Sequence, residues 1–176
     1  MNHNRIVCFD LEMCCWNIDG VGTTGEIIEI GLAEIDLVKG EIVKRAQYYV
    51  KPEQDEVSLF CAELTGITPR KVEKQGRPLA EVIKSMIKNF GGNNKIYAAW
   101  GRDDLVLAKE CADKGIEMPF KEYVNLATIY RIQNRLKEKR IGHKAAQEAK
   151  GIEWEGRQHS GYVDAYNLAK LALTML

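Results

Sequence analysis

Residues 5–12 read Arg5-Ile6-Val7-Cys8-Phe9-Asp10-Leu11-Glu12, and this run decides the fold. Four consecutive apolar, β-prone residues predict a buried central strand rather than a half-exposed one. Side chains alternate along a strand, so Asp10 and Glu12 share one face while Phe9 and Leu11 take the other. Two carboxylates at the end of an apolar strand repel each other and are costly to desolvate. Either they are solvated at an exposed strand end, or a hard divalent cation compensates their charge.

Outward from this strand, residues 16–25 are polar and glycine-rich and predict a loop. Residues 26–36 and 41–50 are strand-like runs joined by Leu37-Val38-Lys39-Gly40, where Gly40 can take a positive φ, so they predict a hairpin. The period then changes. Residues 57–75 contain short helical pieces broken at Gly66 and Pro69. In residues 78–90, Leu79, Val82, Ile83, Met86, Ile87 and Phe90 recur at helical spacing, with Pro78 in the first turn and Gly91-Gly92 beyond the end. Residues 95–100 predict a fourth strand, followed by a helix from Asp103 or Asp104 to about Lys114, either aspartate being a suitable cap. Residues 123–126 predict a short fifth strand, and helices follow at about 127–138, 143–150 and 161–175. A three-strand meander followed by alternating units implies an α/β domain: one mixed sheet flanked by helices.

The 176 residues are 45% hydrophobic with Lys+Arg equal to Asp+Glu, which excludes intrinsic disorder. This length predicts one domain over residues 1–176 that buries roughly 70% of its unfolded-chain surface. Zero net charge argues against a broad basic face for nucleic acid, but not against an enzyme that grips a few nucleotides at a metal site. Cys8, Cys14, Cys15, Cys61 and Cys111 show no zinc or disulfide spacing and are expected as buried thiols. No apolar run reaches the ~18–20 residues of a membrane span, and the N-terminus has no signal-peptide pattern. A soluble cytoplasmic protein with no membrane partner is the expectation. Oligomeric state is left open.

Two further places bear chemistry. Trp100-Gly101-Arg102-Asp103-Asp104 follows a predicted strand and opens a helix, so a carboxylate there reaches the strand end where α/β ligand sites concentrate; one of the pair can instead serve only as a cap. His159 and Asp164 lie on a loop and in the early turns of the last predicted helix. His3 is near the terminus, and His143, in a basic stretch, is expected to be exposed.

Taken together these motifs resemble the DEDDh 3′–5′ exonuclease superfamily, named for four acids and a histidine, and within it the Eri-like exoribonucleases. Phe9-Asp10-Leu11-Glu12 is similar to the first motif. Phe60-Cys61-Ala62-Glu63-Leu64-Thr65-Gly66-Ile67 is similar to a segment of the Eri-like branch. Trp100-Gly101-x-x-Asp104 resembles the second motif, favouring Asp104 over Asp103, and His159-x4-Asp164-Ala165-x-Asn167 the third. Two positions depart from the pattern: Cys14 stands where threonine is common, and Gln158 where a second histidine is frequent. The thiol is a weak hydrogen-bond partner, so a contact to the terminal nucleotide is expected to change.

The resemblance implies a ribonuclease H-like fold with a five-stranded mixed sheet. It implies hydrolysis of 3′-terminal phosphodiesters of a single-stranded end, RNA favoured, to nucleoside 5′-monophosphates by a two-metal mechanism. By carry-over, Asp10, Glu12, Asp104 and Asp164 would hold two Mg²⁺ or Mn²⁺ ions, and His159 would be the general base. An imidazole changes charge near neutrality, so activity is expected to rise between about pH 6 and 8. Main-chain groups at Met13 and Cys14 would bind the terminal sugar. Leu64 and Phe60 would pack on the terminal base, or else belong to the core; Trp16 and Trp100 are further stacking candidates. Arg131, Arg135, Lys137, Lys139, Arg140 and Lys144 can line the path of the strand or form a solvated helix face. A haloacid-dehalogenase-type phosphatase, a DNA-preferring exonuclease and a regulatory protein on the same fold are the competing readings. The first would require Asp-x-Asp where this chain has Asp-x-Glu.

Overall fold

In the computed structural model, which describes residues 4–137 and 141–176, strand β1 (Arg5–Ile18) divides the molecule into two layers. Val7, Phe9 and Leu11 pack on one side with Leu79, Met86 and Leu107. Ile6 and Cys8 pack on the other with Leu126, Leu168, Ala169 and Ala172. Both faces of the strand are therefore buried up to its carboxylates, which is why its apolar run does not alternate.

β2 (Val21–Asp36) and β3 (Glu41–Tyr49) complete an antiparallel meander, and β4 (Ile96–Ala99) and β5 (Glu122–Asn125) add in parallel. The order is β3-β2-β1-β4-β5, the five-stranded mixed sheet expected from sequence. The helices are α1 (Leu59–Thr65), α2 (Pro69–Gln75), α3 (Leu79–Phe90), α4 (Asp103–Asp113), α5 (Leu126–Gln133), α6 (His143–Ala149) and α7 (Gly161–Ala172). α3 and α4 contribute to the first core. α5, α6 and α7 contribute to the second. A third cluster, with Cys14, Ile28, Cys61 and Ile67, lies under α1.

Three expectations change. Residues 16–25 are not a loop: β1 and β2 continue as a hairpin arm, with Trp16 opposite Thr23 and Ile18 opposite Val21. Asp19 (φ 53°) and Gly20 (φ 81°) form its two-residue turn, and positive φ at both central positions matches the right-handed twist of the flanking strands. The helix expected to reach 138 ends at Gln133. Asn134 Nδ2 donates back to Tyr130 O at 2.7 Å and Arg135 takes φ 51°; residue 138 itself lies outside the described residues. His143 is not exposed. Its ring stacks on Trp100 at 5.5 Å and meets Trp154 edge-on at 5.0 Å, and burial pushes its pKa down to about 4.

The placement of α7 follows from two glycines. A Cβ on Gly31 of β2 would overlap the main chain of Gly161 and Tyr162, and one on Gly161 would lie 3.1 Å from Asp10 O. Glycine at Gly31 lets the helix start directly on the β1–β2 ladder, and glycine at Gly161 keeps that contact free of crowding. Arg45 of β3 holds the same end, its guanidinium 4.3 Å from the Tyr162 ring and 3.8 Å from the Tyr166 ring.

Candidate active site

β1 delivers Asp10 opposite Gly31 and Glu12 opposite Glu29. α7 delivers Asp164, one turn from its start against that ladder. α4 delivers Asp103 in its first turn, where the helix dipole favours a carboxylate. Burial first, and then the charges of Asp103, Asp164, Glu12 and Glu29, hold the Asp10 carboxyl well above the ordinary carboxylate range. Glu12 is pushed up to about 8 by burial, then by Asp164, Glu29 and Asp103. Asp103 rises to about 7 through burial and Asp104. Asp164 rises to about 7 through burial and Glu29, against the His159 N–H that favours its charged form. One carboxylate oxygen, Asp164 Oδ1, is buried without a hydrogen-bond partner.

Asp104 does not join this group. Arg102 clamps it in a bidentate pair, Nε to Oδ1 at 2.9 Å and Nη2 to Oδ2 at 3.0 Å. Adjacent residues at a helix start point about 100° apart, so only one of the pair can face β1, and Asp103 is the one whose charge bears on Asp10 and Glu12. Neither aspartate is the cap: Arg102 holds that position without a side-chain cap bond.

His159 sits at φ 60°, a left-handed conformation rare outside glycine, and its backbone N–H donates to Asp164 Oδ2 at 3.1 Å. Glu12, His159 and Asp164 each bring a ligand atom within 4.8 Å of the others. The approach to His159 is braced from below. Asn167 Oδ1 accepts from Gln147 Nε2 (3.0 Å) and Glu155 N (3.1 Å), while its Nδ2 donates to Glu155 O (2.8 Å) and Val163 O (2.9 Å). Arg157 donates to the carbonyls of Glu63 and Leu64 and so ties this loop to the end of α1. Lys144 Nζ donates to Gln158 Oε1 at 3.3 Å, bringing part of the basic segment to the loop. Lys139 and Arg140 lie outside the described residues.

The ladder slips after Glu12, between Glu12 and Met13 and again before Cys15, and this irregularity leaves Cys14 without a ladder partner. Such bulges re-aim a strand beside a site. Met13 O accepts from Cys61 Sγ at 3.4 Å. The Cys14 side chain is fully buried in the cluster under α1, its thiol pushed up to about 12 by burial and then Cys61. It therefore cannot make the altered nucleotide contact expected from its position in the motif. Phe60 is 39% and Leu64 36% exposed, so both stand on the surface of α1 rather than in the core. Trp16 and Trp100 are committed to packing, Trp100 Nε1 donating to Ile141 O at 3.0 Å. A cavity of about 710 Å³ lies between α3, α4 and the base of the hairpin arm; Met13 lines it, but none of the site acids does.

Sequence reasoning passed over Glu29, an acid set within Ile27-Ile28-Glu29-Ile30; that interruption of an apolar run was its signal. Oxygen donors so crowded and so hard to ionise suit a hard dication, which would bind in exchange for protons.

Comparison with known proteins gives a consistent picture. The RNase_T family model, an exonuclease family, matches residues 7–172. The chain is 31% identical to the Xenopus laevis protein named ERI1 exoribonuclease 2 over 197 residues, covering 97% of this chain and 28% of that protein. It therefore spans little more than a quarter of that relative's length. The crystallographic structure of the nuclease domain of 3′hExo, a DEDDh family member bound to rAMP, superposes with a TM-score of 0.83 at 27% identity, covering 99% of this chain and 92% of that one. A 3′-exonuclease solved in a study of 3′-end recognition of a histone mRNA stem-loop gives 0.82 at 25% identity, covering 99% and 82%. With its family model matched across nearly all its length and its fold shared with DEDDh nucleases, the chain belongs to the RNase_T exonuclease family.

Proposed function

We propose that the chain is a 3′–5′ exonuclease acting on RNA, with Asp10, Glu12, Asp103 and Asp164 as the metal-holding acids and His159 as general base. The observation that carries this reading is the convergence of those carboxylates and His159 on one end of β1 and α7, with Arg157 tying that loop to the helix that exposes Phe60 and Leu64. Two divalent cations, Mg²⁺ or Mn²⁺, would neutralise the attacked phosphate and lower the pKa of the attacking water. The protein's own part is to orient and to move a proton. His159 takes the proton from the water, and its strained backbone is held by Asp164. Main-chain groups at Met13 and Cys14, beside the slip of the ladder after Glu12, receive the terminal sugar. Phe60 and Leu64 pack on the terminal base, a contact that tolerates any sequence. The relative's name and the bound rAMP of the structural neighbour support RNA and a mononucleotide product. The five free, buried thiols support a reducing, cytoplasmic setting.

The test is digestion of 3′- and 5′-end-labelled RNA and DNA oligomers with Mg²⁺ or Mn²⁺, with chelator and Asp10→Asn controls. Release of the 3′ label as a mononucleotide, with the 5′ label descending a ladder, is expected, and faster on RNA. Both effects should vanish with chelator or in the variant. Intact oligomers under every condition would turn the reading toward a binding or regulatory protein.

A further inference from the structure

Besides the four acids assigned above, a fifth carboxylate, Glu29, lies in the same site without an assigned role. It is 1% exposed, on β2 directly opposite Glu12 and on the same face. Two carboxylates facing each other across a ladder cannot both ionise without destabilising the sheet, so such a pair needs a compensating reason. One of its oxygens has clear work. Glu29 Oε1 accepts from Gln47 Nε2 at 2.7 Å and from the Tyr162 backbone N–H at 2.9 Å. The N-terminus of α7 has no side-chain cap of its own, since Ser160 makes no cap bond. Glu29 therefore satisfies an orphan N–H of that helix from a neighbouring strand. The other oxygen, Oε2, is buried and has no partner. Its charge bears on Asp10, Glu12 and Asp164.

We propose that Glu29 is a positioning residue of the metal site: it pins the start of α7 opposite Glu12 and lends its unpartnered charge to cation binding without being a ligand. The inference rests on the metal-dependent reading above. Its two halves separate by substitution. Glu29→Gln keeps an Oε1 acceptor for Tyr162 and Gln47 at nearly unchanged volume and removes only the charge. Glu29→Ala removes both.

The experiment is calorimetric titration of Mn²⁺ into wild type, Glu29→Gln and Glu29→Ala, beside thermal unfolding of each in chelator. In Glu29→Gln the Mn²⁺ dissociation constant should rise about tenfold, within the range for residues that support metal ligands, while the cation-free protein unfolds no earlier than wild type. Glu29→Ala should show the same weakening together with earlier unfolding. Wild-type affinity in Glu29→Gln would overturn the proposal. So would weakened affinity accompanied by markedly earlier unfolding of cation-free Glu29→Gln, which would make the charge merely structural. Wild type that binds no Mn²⁺ would count instead against the metal-dependent reading.

Discussion

Two adjacent aspartates carry the sharpest distinction at the scale of the single residue. Motif spacing favours Asp104, but α4 starts with Asp103 turned to β1 and Asp104 paired with Arg102. Asp103→Asn should therefore lower hydrolysis by more than about a hundredfold, beyond the range of residues that merely support ligands, whereas Asp104→Asn should cost about tenfold or less. Steady-state rates on a labelled RNA oligomer decide this, and the reverse ranking would restore Asp104. His159→Ala should lower kcat by about 10²–10⁴, the usual contribution of a general base. Both aspartates were plain as candidates, because strand ends and helix starts are local features. Which of them turns inward depends on the helix phase, and packing against β1 sets that.

At the scale of the element, the helix that carries Asp164 is placed by what is missing beneath it. Gly31 and Gly161 remove the two side chains that would lift α7 from the β1–β2 ladder. Gly31→Ala should destabilise the fold by about 1–3 kcal/mol through overpacking, and by more if the main chain cannot yield. Denaturant unfolding gives the stability, and activity should fall further than the unfolded fraction explains, because Asp164 moves away from Asp10. A stable, fully active Gly31→Ala protein would remove the glycine pair from this account. Amphipathic spacing made α3 legible, and Gly66 and Pro69 marked the break between α1 and α2. The hairpin arm reads as a loop although its Asp19-Gly20 turn stands in the sequence. Trp16, Asn17, Thr23 and Thr24 lack the apolar run that identifies a buried strand, and the arm forms by extending a ladder already in place.

For the whole molecule, the site is an electrostatic load that the cation-free fold must carry. Glu12, Asp103 and Asp164 have folded values of about 8, 7 and 7, above their ordinary 4.5 and 3.8. The folded state thus binds more protons than the unfolded chain between about pH 4 and 8, so stability present at low pH is lost as pH rises through 7 to 8. Glu26 acts oppositely, with a folded value of about 2, so its contribution is complete above about pH 5 and lost only in acid. Cation-free protein should therefore unfold at a lower temperature at pH 8 than at pH 5.5. Mg²⁺ or Mn²⁺ at a hundredfold excess over its Kd should add about 2.7 kcal/mol at pH 8, roughly 5–10 °C for a chain of this size. Thermal scans in chelator and in cation at the two pH values test both signs, and equal melting temperatures in chelator would contradict the raised values. By itself the sequence determined the mixed sheet, most of the helices, Asp10 and Glu12 on one face, and His159 and Asp164 on one loop-helix junction. Each of these rests on periodicity or turn chemistry within about a dozen residues. Only the tertiary structure decided that Asp103 turns inward, that Cys14 is buried, that His143 packs between Trp100 and Trp154, and that Glu29 caps a helix more than a hundred positions away. Those outcomes are set by which surfaces meet across the sheet, and a contact between distant segments leaves no period in the chain.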